Sequence, residues 1–209
     1  MALEDLIKQN RTWAAAQIAQ DPDFFARHVA GQHPRVLWLG CADSRVPAEA
    51  ILGCGPGDVF IHRNIANLIA HNDISVAAVI QYATAHLHIP DIIVCGHFGC
   101  GGIAAVCSEQ LIAGYVGDWL TSAAGAKRAV DLRLGAEKAR LTQEEYLRQV
   151  VQENVRLQVN HLSHLTVVRQ RWQETPGLPR LHGWVYDIGT GHVSTVVENI
   201  TTVQEPYRP

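Results

Sequence analysis

The sequence predicts an α/β fold: a mostly parallel central β-sheet flanked by helices, with a helical arm before it and a β-hairpin at its C-terminal end. Two apolar runs of strand length, in 35–45 and 91–102, end abruptly in polar residues and glycines, as strands buried on both faces do when they reach a loop. Between 58–63 and 91–96 the apolar spacing turns helical. Strand, helix and strand with short links make a right-handed crossover unit. At 209 residues one substantial core accounts for the chain, so 1–209 reads as a single domain with 1–31 as its arm.

Composition narrows the function classes. Hydrophobic residues make up 47% and charged residues 18%, below the ~25% charge usual in globular domains, which argues against disorder. A net charge of −3 without Lys/Arg clusters argues against nucleic acid or an anionic membrane as partner. No segment has the pattern of a signal peptide and no apolar run reaches spanning length, so the expected compartment is the cytoplasm. Five cysteines in that setting suggest metal ligands or buried thiols before disulfides.

Residues 3–19 have an amphipathic helical stripe of Leu6, Ile7, Trp13, Ala14 and Ile18. Asp21-Pro22 supplies the cap and first turn of a second short helix carrying Phe24, Phe25 and Val29, which Gly31 ends. The first strand follows from Arg35, favoured by Val36 and Trp38. Asp58 to Arg63 is the second strand, and 75–87 is a helix with Asp73 near its N-terminus and Pro90 beyond its end. Asp91 to Gly96 is continuously apolar after its first residue, and a small-residue helix from Ile103 to Gln110 follows the next glycines. Residues 112–141 are the least readable and are expected to be helix fragments and loop. Thr142 and Glu145 have capping-box spacing before a long helix. Leu181 to Asp187 and His192 to Val197 form a hairpin around Gly189-Thr190-Gly191.

The chemistry gathers at two strand ends. Cys41, Asp43 and Arg45 share a side if the chain stays extended past its strand, and His97 and Cys100 lie three apart just beyond another. Two thiolates and an imidazole suit Zn²⁺ and leave a fourth position for water. The plainer reading is a buried Cys, an incidental Cys/His pair and a surface Asp–Arg pair worth little. The two clusters together favour the metal. Cys95 reads as a buried thiol, Cys107 as a helix-face residue, and Cys54, in a turn, is a spare ligand candidate.

Cys41-Ala-Asp-Ser-Arg45, Phe60-Ile-His-Arg-Asn-Ile-Ala-Asn67 and Cys95-Gly-His-Phe-Gly-Cys-Gly-Gly102 together resemble a β-class carbonic anhydrase. The resemblance runs from about Gln32 to Val106 and resumes at Leu181–Asp187. It implies Zn²⁺ on Cys41, His97 and Cys100, with Asp43 and Arg45 paired beside it, and reversible hydration of CO₂ to bicarbonate by zinc-bound hydroxide. It also implies a substrate pocket of Gln32, Phe60, Tyr82 and Gly101, shared between subunits of a homodimer or homotetramer. Trp38, Arg63 and Tyr186 match positions that some bacterial members use to bind bicarbonate away from the zinc. There Asp43 would leave Arg45 for the metal, and activity would rise steeply with pH. Other readings on the same residues are a COS or CS₂ hydrolase, a non-catalytic zinc-binding or assembly module, and Cys–His nucleophilic catalysis.

Overall fold

The structure is a computed structural model that describes residues 2–108 and 112–208. It divides into two compact units, 1–33 and 34–209. In the first, helix α1 (Leu3–Gln20) is followed by a turn and a single helical turn, α2 (Ala26–Val29). Trp13 meets Phe24 and Phe25 edge-on at 6.2 and 5.7 Å, and Phe24 meets His28 at 5.8 Å. Asp21 accepts from the Asp23 N–H at 3.1 Å and pairs with Arg27. The second helix therefore starts later than Pro22, because residues 22–25 form a turn that places the phenylalanines against Trp13.

The second unit is built on a five-stranded sheet in the order β2-β1-β3-β4-β5. Strands β1 (Val36–Cys41), β2 (Val59–Asn64), β3 (Asp91–His97) and β4 (Arg180–Asp187) are parallel, and β5 (His192–Ile200) runs antiparallel to β4. The architecture is the one expected. Helices α3 (Ala48–Leu52), α4 (Ile74–Gln81), α5 (Gly101–Cys107), α6 (Gly114–Leu120), α7 (Ala124–Leu134), α8 (Gln143–His164) and α9 (Thr166–Glu174) complete it. One core face joins Leu37, Leu39, Ile92, Val94 and Leu181 to α4, α8 and α9. Trp38, Ile93 and Cys95, one residue out of phase, face the other way onto Ala48, Ile51 and Leu52 of α3. That split follows from strand alternation.

Two glycines set how closely α8 approaches. A Cβ at Gly96 or Gly183 would lie 2.8 or 2.7 Å from Val155 side-chain atoms, so the helix rests directly on β3 and β4. At its start Glu145 N–H donates to Thr142 Oγ1 (3.2 Å) and Thr142 N–H to Glu145 Oε2 (2.7 Å), the expected capping box.

Elsewhere the structure meets expectation in part. Residues 112–141 are largely helical: α6, α7 and two 3₁₀ turns, with Leu120, Ala123, Ala126 and Val130 buried. Two of these four are alanines, so the hydropathy contrast across the helices is faint. Asp73 caps α4 by accepting from Ser75 and Val76, and beyond Gln81 the helix widens into a π turn over Tyr82–His86. β5 runs past Val197, because pairing continues through an irregularity at Gly183 to Leu181↔Ile200. The end expected for the helix after Gly102, at Gln110, lies outside the described residues. No helix among the described residues is long and apolar enough to cross a membrane.

Candidate metal centre

Adjacent parallel strands bring the ligand residues together. Gly40 is level with Cys95 across β1 and β3, so Cys41 and His97 emerge at the same carboxyl edge of the sheet, where α/β folds place their sites. Gly99, at φ 72°, takes the left-handed turn that glycine adopts readily. It returns Cys100 to this edge at the start of α5. The ligand atoms of Cys41, His97 and Cys100 all lie within 4.8 Å of one another and all three residues are buried. The Cys41 and Cys100 Sγ atoms are 4.0 Å apart.

The imidazole is fixed as a ligand requires. His97 Nδ1 lies 3.1 Å from the Phe98 carbonyl oxygen, which can only accept, so Nδ1 carries the proton. Nε2 is thereby left with its lone pair, buried and without a hydrogen-bond partner. A buried, unsatisfied nitrogen beside two thiols is costly unless a cation completes it. The thiols titrate as a pair. The hydrogen bond between the two sulfurs lowers the Cys41 pKa against the opposing effect of burial, with the Asp43 and Ala66 N–H groups assisting. Cys100 is pushed up by the same bond and by burial. Two sulfurs and one imidazole nitrogen, closely spaced and buried, fit Zn²⁺.

Beside the triad, Arg45 grips Asp43 through Nε to Oδ1 (2.9 Å), Nη2 to Oδ2 (2.6 Å) and backbone N–H to Oδ1 (3.0 Å). The expectation of an extended chain past Cys41 fails. The strand ends there, and Val46 N–H bonds the Asp43 carbonyl in a turn, so Asp43 and Arg45 meet by turning back rather than by alternation. The Arg45 hydrogen bond holds the Asp43 carboxyl well below the usual carboxylate range, overcoming burial. Asp43 Oδ2 stands 3.8 Å from His97 Nε2, and Arg45 Nη2 also reaches the Gly99 carbonyl at 3.2 Å.

The other candidates are distributed as follows. Phe60 and Tyr82 stack at 5.9 Å. Phe60 packs with the cluster around Leu37 and Leu39, whereas Cys41 and Cys100 belong to the one around Ala66 and Ile103. Gly101 follows Cys100 directly, is exposed, and has open space where a Cβ would stand. Gln32 belongs to the N-terminal unit and is exposed there. Trp38 is fully buried on the sheet face opposite Cys41, edge-on to Trp184 at 6.4 Å, with Nε1 unpartnered. Tyr186 packs against the same cluster.

Arg63 shows a bond pattern that sequence reading missed. Its Nε donates to the Cys41 carbonyl at 2.7 Å and its Nη2 to that of Asp43, bracing the backbone that carries both residues. Only the register Gly40↔Arg63 across β1 and β2 reveals this. Cys54, the spare ligand candidate, lines a cavity of about 410 Å³ with Arg35, Asp91 and His182 at the opposite edge of the sheet. Cys95 is buried and its pKa is raised by desolvation, an inert thiol.

A family model described as carbonic anhydrase matches residues 36–193. A carbonic anhydrase of Emericella nidulans is 37% identical over 188 residues, covering 90% of this chain and 80% of that one. One from Synechococcus elongatus is 34% identical, covering 91% and 70%. Among solved structures, tetrameric β-carbonic anhydrases from Sordaria macrospora superpose with a TM-score of 0.82 at 37% identity, covering 92% of this chain and 95% of that one. The Coccomyxa β-carbonic anhydrase in complex with acetazolamide gives 0.86 at 32% identity, covering 96% and 89%.

Proposed function

This chain belongs to the β-carbonic anhydrase family and catalyses reversible hydration of carbon dioxide, and on that premise we propose that Cys41, His97 and Cys100 hold its Zn²⁺. The convergence of those three buried ligand atoms within 4.8 Å carries the reading. When bound, Zn²⁺ acts as a Lewis acid that makes water nucleophilic near neutral pH.

The protein's own groups do the rest. Cys41 and Cys100 ligate as thiolates and cancel the ion's charge, so neighbouring groups must do more of the activation than around an all-histidine site. Asp43, kept ionised and oriented by two guanidinium hydrogen bonds, accepts a hydrogen bond from the attacking water and so turns an oxygen lone pair toward the CO₂ carbon. The Gly101 N–H donates to the substrate oxygen that gains charge, an oxyanion role. Phe60 and Tyr82 supply an apolar wall. Their packing in a cluster separate from the ligands supports a pocket completed by a second subunit, and the Sordaria relatives are tetrameric. The same reading makes this chain a homodimer or homotetramer. Its five free cysteines support a reducing, cytoplasmic setting.

Purified protein is expected to hold about one Zn²⁺ per chain and to hydrate CO₂. A metal-free yet active enzyme, or a large preference for COS over CO₂, overturns the assignment.

Regulation by bicarbonate at Trp38, Arg63 and Tyr186 is a second proposal, favoured by one observation: the buried Trp38 Nε1–H has no partner, as a donor reserved for an anion would not. Tyr186→Phe should weaken bicarbonate inhibition and flatten a steep rise of activity with pH. An unchanged profile and unchanged inhibition count against it.

A further inference from the structure

Phe98, between ligands His97 and Cys100, is held on three sides. Its N–H donates to the Tyr186 carbonyl at 3.0 Å, and its own carbonyl takes the His97 Nδ1 proton at 3.1 Å. The guanidinium carbon of Arg148, on α8, sits 3.6 Å from the centre of its ring, well inside the range of a cation–π contact. Arg148 Nη2 in turn donates to Asp187 Oδ2 at 2.9 Å. Asp187 follows Tyr186 directly, and its other oxygen accepts the Gly189 N–H at 2.9 Å.

These contacts close a ring: Phe98 backbone to Tyr186, one peptide to Asp187, across to Arg148, and back onto the Phe98 ring. Arginine suits this position because its planar group can stack on an aromatic face while its edge hydrogen-bonds a carboxylate. The consequence falls on His97. Its Nε2 is a ligand only while Nδ1 carries the proton, and that depends on where the Phe98 carbonyl points. Such carbonyl partners orient metal-binding imidazoles and set their tautomer.

We propose that Arg148 is a positioning residue for the metal centre, clamping the Phe98 ring so that the Phe98 carbonyl holds His97 in the ligating tautomer. This rests on the assignment of His97 as a zinc ligand. Arg148 acts through Asp187 and the Phe98 ring, and a mere surface pair with Asp187 would leave metal affinity untouched.

The test is zinc affinity, read by competition with a chromophoric chelator on the full chain. Arg148→Met, which keeps a long stem without the charge, should bind Zn²⁺ about tenfold more weakly, and Arg148→Lys should recover part of the loss. Phe98→Leu should lose a similar factor, and the double variant Arg148→Met/Phe98→Leu should lose no more than either alone. Affinity within twofold of wild type in Arg148→Met, or additive losses in the double variant, overturns the clamp. If Arg148→Met does not fold by circular dichroism, Phe98→Leu decides: unchanged affinity overturns the clamp, and a tenfold loss that Arg148→Lys partly reproduces supports it. His97→Ala separates the two layers. If it still binds Zn²⁺ as tightly as wild type, the ligand assignment fails and the clamp with it. If it loses Zn²⁺ while Arg148→Met does not, the clamp alone fails.

Discussion

At the amino ends of β3 and β4, Asp91 takes hydrogen bonds from Arg180 Nε and Nη2, both at 2.6 Å, and from His182 Nε2 at 3.0 Å. The other nitrogen of His182 accepts from the Asn199 N–H at 3.3 Å. At the carboxyl ends of β1 and β3, His97 also has one nitrogen engaged, yet its Nε2 is buried with no partner and faces two thiols. Both edges carry a histidine, a carboxylate and an arginine. At one edge the protein itself satisfies the polar groups, whereas at the other a buried nitrogen and two sulfurs are left for something the chain does not supply. Closed polar networks hold structure, and buried unsatisfied ones mark chemistry.

Removing a ligand at the carboxyl edge breaks this contrast hardest. Cys100→Ser should bring zinc content close to zero and lower CO₂ hydration by at least about 10³-fold, measured by elemental analysis and stopped-flow hydration. Asp43→Asn comes next. It should keep its zinc while activity falls about 10²-fold, since the neutral amide is a weaker hydrogen-bond acceptor and loses its charge-assisted grip from Arg45. Loss of zinc in that variant would make Asp43 structural instead.

At the amino edge the same type of change should act on stability alone. Asp91→Asn should cost about 1 kcal/mol, discounted for its partial exposure, with activity per folded molecule unchanged. A pH series refines this. The Arg180 hydrogen bond, and then that of His182, hold the Asp91 carboxyl below its ordinary value of 3.8. Its contribution is therefore complete above 3.8 and is lost as pH falls through the lower folded value. Wild type and Asp91→Asn should converge in thermal stability below that window and stay apart above it. The smallest effect is expected of Cys54→Ser, which lies at the amino edge: zinc stoichiometry and activity should both match wild type. A drop in bound zinc would place a ligand at the wrong end of the sheet.

Much of this was legible along the chain because the relevant signals are local. The apolar runs that become β1 and β3, the cap at Asp73 and the capping box at Thr142 depend on neighbours within a few residues. The residues that gather at the carboxyl edge, Cys41, His97 and Cys100, were readable too, because each sits where an apolar run turns polar. Residues 112–141 were readable only as helix fragments, because the few residues they bury, Leu120, Ala123, Ala126 and Val130, include small alanines that hydropathy hardly distinguishes. The turn at Asp43–Val46 was also hidden: a local hydrogen bond, not alternation, brings Arg45 back onto the carboxylate.

By itself the sequence determined the sheet-forming segments, the metal-ligand residue types and their separations, since these follow from side-chain chemistry and short-range periodicity. Only the tertiary structure decided which groups are satisfied and which are left open. It set Arg63 on the carbonyls of Cys41 and Asp43, put Cys54 at the far edge and laid Arg148 over Phe98. Those outcomes depend on strand register and on how closely α8 approaches at Gly96 and Gly183, and long-range packing of that kind leaves no periodic trace in the chain.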